Sequence, residues 1–228
     1  MPPRIAAEAD PRRRLVLAAT EVFARDGYRR ATTRDICDLA GANVAAIHYH
    51  FGDKAGLYRE VLEAPIREFV ATSSRFERPE IPLRDALEAF FRAQLEPLLE
   101  GADADPFFVI LAHEMAEPSG VLATTLAEAI EPHQRALERM LQRHVGAARI
   151  DLDIETLAMV LVAMGSHFVM TRQVTHAIRP RLIGSDAAVR RLVRRLAEQG
   201  AALVDHERAR RAAAAPAAGA GSASKGTP

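Results

Sequence analysis

The sequence predicts an all-α protein. Ala, Leu, Arg and Glu dominate it, and these are strong helix formers. Apolar residues recur at three- and four-residue spacing along most of the chain, with no convincing alternating run to suggest a strand. Glycine, proline or a capping side chain interrupts that pattern at helix-length intervals. With 49% hydrophobic residues in 228 positions, a sizeable core can be buried.

The elements follow in order. Residues 1–10 are expected to be flexible. A first helix runs from Pro11 to about Arg25: Leu15, Ala18, Ala19, Val22 and Phe23 share one face, and Gly27 ends it. Arg12, Arg13 and Arg14 crowd its first turn. Cations there oppose the helix dipole, so they are either solvated or answered by a phosphate. A second helix opens at Thr32, capped by that hydroxyl with Asp35 three residues on, and stops at Gly41. A short third helix spans about Asn43 to His50. After Gly52, Asp53 caps a fourth that carries Pro65, which should kink it or free a carbonyl. A fifth covers Leu83 to about Leu99. "GADADP" separates it from the apolar "FFVILAHEM". A helix from about Ser119 to Val145 holds Pro132 and should be bent or split. Two long helices, about Ile154–Ile178 and Asp186–Val204, close the pattern. The low-complexity stretch 209–228 has nothing to bury and is expected to be disordered.

Composition narrows the function. Positive and negative side chains balance at 30 each. Residues 1–60 carry a slight basic excess, 61–178 are acidic and 179–211 basic, so any nucleic-acid footprint must be local. One cysteine, Cys37, leaves no intrachain disulfide framework and reads best as a small buried thiol. The N-terminus lacks the apolar stretch of a signal peptide, and no uninterrupted apolar run has the length of a membrane span. The expectation is a soluble cytoplasmic protein without a cofactor or membrane partner.

A capped helix, a glycine-centred turn and a second short helix describe a helix-turn-helix, whose second helix lies in the DNA major groove. Any three-helix bundle can mimic that outline. The stretch "GYRRATTRDICDLAGANVAAIHYHFGDKAGLY", with "AATEVFARDGY" upstream, is more specific. It resembles the DNA-binding domain of TetR-family transcriptional regulators over roughly 45 residues. Two departures stand out. The family commonly reads Tyr-His-Tyr before the phenylalanine, against His48-Tyr49-His50 here, and often has Ser or Thr at Ala42, Ala45 and Ala46. Together with "LAHEMAEPSG", "IHYHFGDKAGLY" looks similar to a subgroup with a CecR-like C-terminal domain. The resemblance implies residues 11–58 as the DNA-binding domain, 59–80 as a connecting helix, and 81–208 as a helical ligand-binding and dimerisation domain.

Candidate DNA contacts follow. His48 and His50 diverge by about 200° on a helix and do not suit a shared metal. His48 and Tyr49 can face phosphate; His50 either does so or lies half-buried against the fourth helix. Lys54 resembles the family's phosphate-contacting lysine. Asn43, Val44, Ala45 and Ala46 occupy the base-reading end: Asn43 either bonds an adenine edge or caps its helix, and small apolar groups suit thymine methyls. Thr32 and Thr33 start the second helix as further candidate DNA contacts, and Arg34 there can reach the backbone or a base or is simply solvated.

For the remainder, Ile154, Leu157, Leu161, Met164 and Phe168 make one apolar stripe and Val160, Ala163, His167, Met170 and Val174 another. A helix apolar on two sides is buried on two sides. The expected dimer seam uses Leu157, Leu161 and Gly165 with Val189, Leu192, Val193 and Leu196. The expected ligand pocket uses Phe107, Phe108, His113, Met115, Met164, His167 and Phe168. The resemblance implies a homodimeric, effector-released repressor on a palindromic double-stranded operator. The alternatives are a protein-binding helical scaffold or, from "HEMAE", a metal-dependent hydrolase. The latter lacks its second histidine, the position being Glu117.

Overall fold

The computed structural model describes residues 10–99, 106–121 and 123–214; among these there is no strand. The N-terminal helices are α1 (Pro11–Arg30), α2 (Thr33–Ala40), α3 (Val44–Phe51) and α4 (Lys54–Ala71). A 3₁₀ turn, Thr72–Arg75, leads to α5 (Leu83–Leu95), α6 (Pro106–Ala116), α7 (Ala123–Val145) and α8 (Leu152–Met170). Two short helices, α9 (Arg172–Ile178) and α10 (Pro180–Ile183), precede α11 (Asp186–Ala214). The expectations for residues 1–9 and for most of "GADADP" lie outside the described residues.

Capping chemistry sets the N-terminal boundaries. The Thr32 hydroxyl accepts from the Asp35 amide at 3.1 Å, and the Asn43 side-chain oxygen accepts from the Ala46 amide at 3.1 Å. Asp53 accepts from the Gly56 amide at 2.7 Å. Gly41 and Gly52 take positive φ where α2 and α3 stop. Gly27, at φ 70°, breaks α1, and one further turn carries Tyr28–Arg30 beyond it.

Several C-terminal expectations need correction. α7 is one helix through Pro132 and is not split there. The helix expected to reach Ile178 stops at Met170: Thr171 leaves helical geometry (φ −104°, ψ 20°), and its hydroxyl bonds back to the His167 carbonyl at 2.7 Å. α11 continues past residue 209 to Ala214. Arg211 pairs with Asp151 at 2.8 Å, Arg210 with Asp153 at 2.5 Å, and Arg208 donates to the His144 carbonyl at 2.6 Å. These ties extend an alanine-rich segment that buries little on its own. Residues 215–228 lie outside the described set.

Two apolar cores result. The first joins α1–α4, with Phe23, Ile36, Ile47, Leu57 and Tyr58 at its centre; Ile110 of α6 completes it. The second is a bundle of α5, α7, α8 and α11. Here the dimer-seam expectation fails. Leu157, Leu161 and Gly165 of α8, and Val189, Leu192, Val193 and Leu196 of α11, are all buried within this one chain. The reason is α5, whose Leu87, Phe90 and Phe91 occupy that face. Any Cβ at Gly165 would overlap Gln94 Oε1 of α5, so the glycine serves an internal close approach. The opposite side of α8, with Met159, Val160, Ala163 and His167, is exposed. α8 is long and apolar enough by composition to cross a membrane, yet one side of it is core of this bundle.

Candidate nucleic-acid interface

The first core holds α3 through Ile47, its one fully buried side chain. The rest of the helix is presented outward. Asn43, Val44, Ala45, His48 and Tyr49 are exposed, Tyr49 at 85%, while Ala46 and His50 are half-buried. An exposed tyrosine next to exposed aliphatics has no folding rationale; it suits a surface that meets a partner. The Tyr49 and His50 rings meet edge to face at 4.9 Å, and His50 lies 5.9 Å from Phe51. His48 Nδ1 lies 2.7 Å from the Gly52 carbonyl.

At the base of α2, the Thr32 hydroxyl donates to the Asp35 carboxylate at 2.6 Å while capping, so it is engaged inside its own turn. Arg34 is exposed and Thr33 half-buried. Two of the three first-turn arginines of α1 have protein partners, and Arg13 is exposed. Arg12 pairs with Glu60 at 2.8 Å and lies over the Phe51 ring, and Arg14 donates to the Ala40 carbonyl at 3.2 Å. Contacts with α2, α3 and α4 thus answer part of the crowding in the first turn. Asn43 is likewise a cap by its oxygen, which leaves its amide nitrogen for a base.

Lys54, the expected phosphate contact, has partners within the chain. Its ammonium donates to the carbonyls of Tyr28 (2.9 Å) and Ala31 (3.0 Å) and sits 4.4 Å from the Tyr28 ring centroid. Partial burial pulls it below the usual lysine range. These bonds satisfy carbonyls at the end of α1 and account for its position without a phosphate. Cys37 is buried in α2, and burial pushes its thiol up, away from thiolate chemistry.

The expected ligand pocket is scattered over several places. Phe108 and His113 do line one cleft, of about 270 Å³, where α6 faces Leu98 and the α8–α9 junction at Met170, Thr171 and Val174. Phe107 instead packs on the N-terminal core. Met115 is 68% exposed. Met164, His167 and Phe168 line a shallow groove with Val160 on the outside of α8 and α11. The cause is α6 itself, which lies between the two cores and sends successive side chains to different places.

One site was missed by sequence reasoning. Glu114, buried in the apolar α6, accepts from the Tyr58 hydroxyl at 3.1 Å and from the Ser119 amide and hydroxyl at 3.0 and 2.9 Å. Burial, then the Glu114 charge, pushes the Tyr58 phenol well above its usual range. The bond ties α4 of the reading domain to α6. One turn from Glu114's neighbours, Arg29 pairs with Glu117 at 3.4 Å. A lone carboxylate inside "FFVILAHEM" was the available signal, and the zinc-helix pattern drew attention from it. Among the described residues, no three His, Cys, Asp or Glu side chains converge as a metal site.

Comparison with known proteins fits this geometry. Residues 15–61 match the family model of bacterial regulatory proteins of the tetR family. Residues 83–204 match the C-terminal domain of the HTH-type transcriptional dual regulator CecR. The HTH-type transcriptional repressor BepR of Brucella suis is 27% identical over 169 residues, covering 70% of this chain and 79% of BepR. The regulator SrpR of Pseudomonas putida is 28% identical over 156 residues, 67% of this chain and 71% of SrpR. The TetR-family regulator PfmR of Thermus thermophilus superposes with a TM-score of 0.61 at 20% identity, over 82% of this chain and 96% of PfmR. The chain therefore belongs to the TetR family of DNA-binding transcriptional regulators, with a C-terminal domain of the CecR type.

Proposed function

We propose that this protein is a cytoplasmic, homodimeric repressor that a small molecule releases from a palindromic double-stranded operator. α3 enters the major groove, with Asn43, Val44, Ala45, Ala46, His48 and Tyr49 toward the DNA and Arg34 of α2 beside it. The single observation that carries the effector-controlled reading is the double role of α6. On one side it completes the core of the reading domain through Ile110 and holds Tyr58 through Glu114. On the other it walls the 270 Å³ cleft through Phe108, Val109 and Ala112. His113 belongs to both: it lines the cleft, and its Nδ1 lies 3.4 Å from where a Cβ on Gly27 would stand. A molecule filling the cleft cannot shift α6 without disturbing the packing of α1 and α4.

The exposed side of α8, at Met159, Val160, Ala163 and His167, adjoins α11 and supports the second subunit docking there. Two reading heads then meet two half-sites one helical turn or a multiple apart. Repression, as opposed to activation, is supported by the name of the relative BepR.

The test is an electrophoretic shift of DNA from upstream of the protein's own gene, repeated across a panel of small apolar compounds. Release by at least one compound is expected. In Tyr58→Phe, operator binding should persist while that compound's effect shrinks several-fold. No shift with any upstream fragment would overturn DNA control, and an undiminished compound effect in Tyr58→Phe would remove α6 from the coupling.

A further inference from the structure

His48 stands where the family commonly has tyrosine, and the structure gives it a fixed orientation. Its Nδ1 lies 2.7 Å from the Gly52 carbonyl, while the Gly52 amide donates back to the His48 carbonyl at 3.1 Å. Gly52, at φ 79°, holds its carbonyl in a backbone geometry that side-chain-bearing residues rarely adopt. A carbonyl only accepts, so Nδ1 must carry the hydrogen. In the neutral ring Nε2 is then a bare acceptor, and the ring cannot turn to exchange the two nitrogens without losing the Gly52 bond. His48 is exposed, three and four residues on from exposed Ala45 and Val44, on the outer side of α3 away from buried Ile47. The short side chains of Val44 and Ala45 let the helix backbone approach base edges, so a ring one turn further along can reach them.

We propose that His48 is a specificity-determining residue that accepts a hydrogen bond from the exocyclic amino group of a cytosine or adenine in the major groove. A phosphate oxygen is itself an acceptor and finds no partner at Nε2. In the major groove the only base-edge donors are cytosine N4 and adenine N6, so the ring selects an amino-bearing base and disfavours the O6 and O4 acceptors of guanine and thymine. The inference deepens the DNA-binding reading above and rests on α3 being the helix in the groove.

The experiment selects binding sites for the full chain from a pool of duplexes with a random 30-base-pair centre, beside His48→Phe and His48→Ala. The parent chain should enrich cytosine or adenine at one position in each half-site. Replacing that base with its analogue lacking the amino group should weaken binding about tenfold. Both variants, checked for retained helicity and melting temperature, should lose preference at that position alone and keep the parent's salt dependence. His48→Ala decides should the phenylalanine variant not fold. An unchanged preference in a folded variant overturns the assignment. So does a salt slope smaller by about 1, which would mark a protonated ring on a phosphate. A parent chain that enriches no sequence overturns the DNA-binding reading beneath it; one that enriches a site indifferent to His48 overturns only this inference.

Discussion

The N-terminal head and the C-terminal body are both helical, yet different forces define their elements. In the head, three successive helices each begin on a side-chain cap, at Thr32, Asn43 and Asp53, and α2 and α3 each end on a positive-φ glycine. Each boundary is written within a few residues of itself. In the body, α5 starts at Pro82 and α9 at Thr171 with no side-chain cap. α8 is capped by Asp151, but its C-terminal stop depends on Thr171. Ser185 caps α11 and positive-φ Gly146 ends α7, but which faces meet is decided by tertiary packing, chiefly of α5 into α8 and α11. Local chemistry fixes a small reading surface that a larger body can carry without redefining it.

The largest expected effect breaks the body. Leu192 and Leu196 sit 8% and 5% exposed in the bundle. Leu192→Glu with Leu196→Glu places two unpaired charges there and should cost more than about 4 kcal/mol. Circular dichroism should show loss of the cooperative melt. The matching change on the outer side of α8, Val160→Glu with Ala163→Glu, should leave the melt within about 1 kcal/mol and yield a folded monomer in sedimentation. A folded monomer from the Leu192/Leu196 pair would return those residues to a subunit seam.

The next effect also belongs to the body. His133 is 3% exposed among Phe69, Phe76 and Phe90, with Nδ1 2.9 Å from the Ser73 hydroxyl. Desolvation pulls its pKa from 6.5 down to about 4. The folded state therefore holds fewer protons than the unfolded state between those values. This contribution to stability is full above about pH 6.5 and is lost as pH falls toward 4, by up to about 3 kcal/mol. Urea melts across that window should show the slope, and His133→Phe should flatten it. An equal slope in His133→Phe would assign the acid sensitivity to other groups.

That asymmetry also explains what the sequence could convey. "TTRDI", "LAGAN" and "HFGDK" contain their own caps and stops, so α2, α3 and the start of α4 were legible to within a residue or two. Which face of α8 is internal was not legible, because both faces are apolar and only the insertion of α5 distinguishes them. Phe107, Phe108 and His113 were recognised as chemically suited to a pocket, but α6 lies between two cores and divides them. Lys54 was assigned by motif position, and its bonds to Tyr28 and Ala31, 26 and 23 residues away, depend on how α4 meets α1.

A smaller effect tests that lysine in the head. Lys54→Ala removes two hydrogen bonds to carbonyls at the end of α1 and the contact with Tyr28, together about 1–2 kcal/mol. Thermal melts should show that loss. Operator affinity should fall by a similar factor at every salt concentration. A salt slope smaller by about 1 with unchanged stability would restore the phosphate contact as its main role.

The smallest effect separates folding from recognition within a single side chain. Asn43 caps α3 by its oxygen, which leaves its amide nitrogen for adenine N7, a base atom that accepts from such a donor. Serine caps about as well as asparagine but lacks that nitrogen. Asn43→Ser should therefore change stability by no more than a few tenths of a kcal/mol, whereas Asn43→Ala should cost about 1 kcal/mol. If Asn43 also reads a base, the serine variant should lose roughly 1 kcal/mol of operator affinity at one position only, with preference at the other positions intact. If it is a cap alone, serine should match the parent in both melting and binding, and alanine should weaken binding uniformly through a less ordered α3. Measuring both quantities on both variants tells the two apart, because stability follows the oxygen and sequence preference follows the nitrogen.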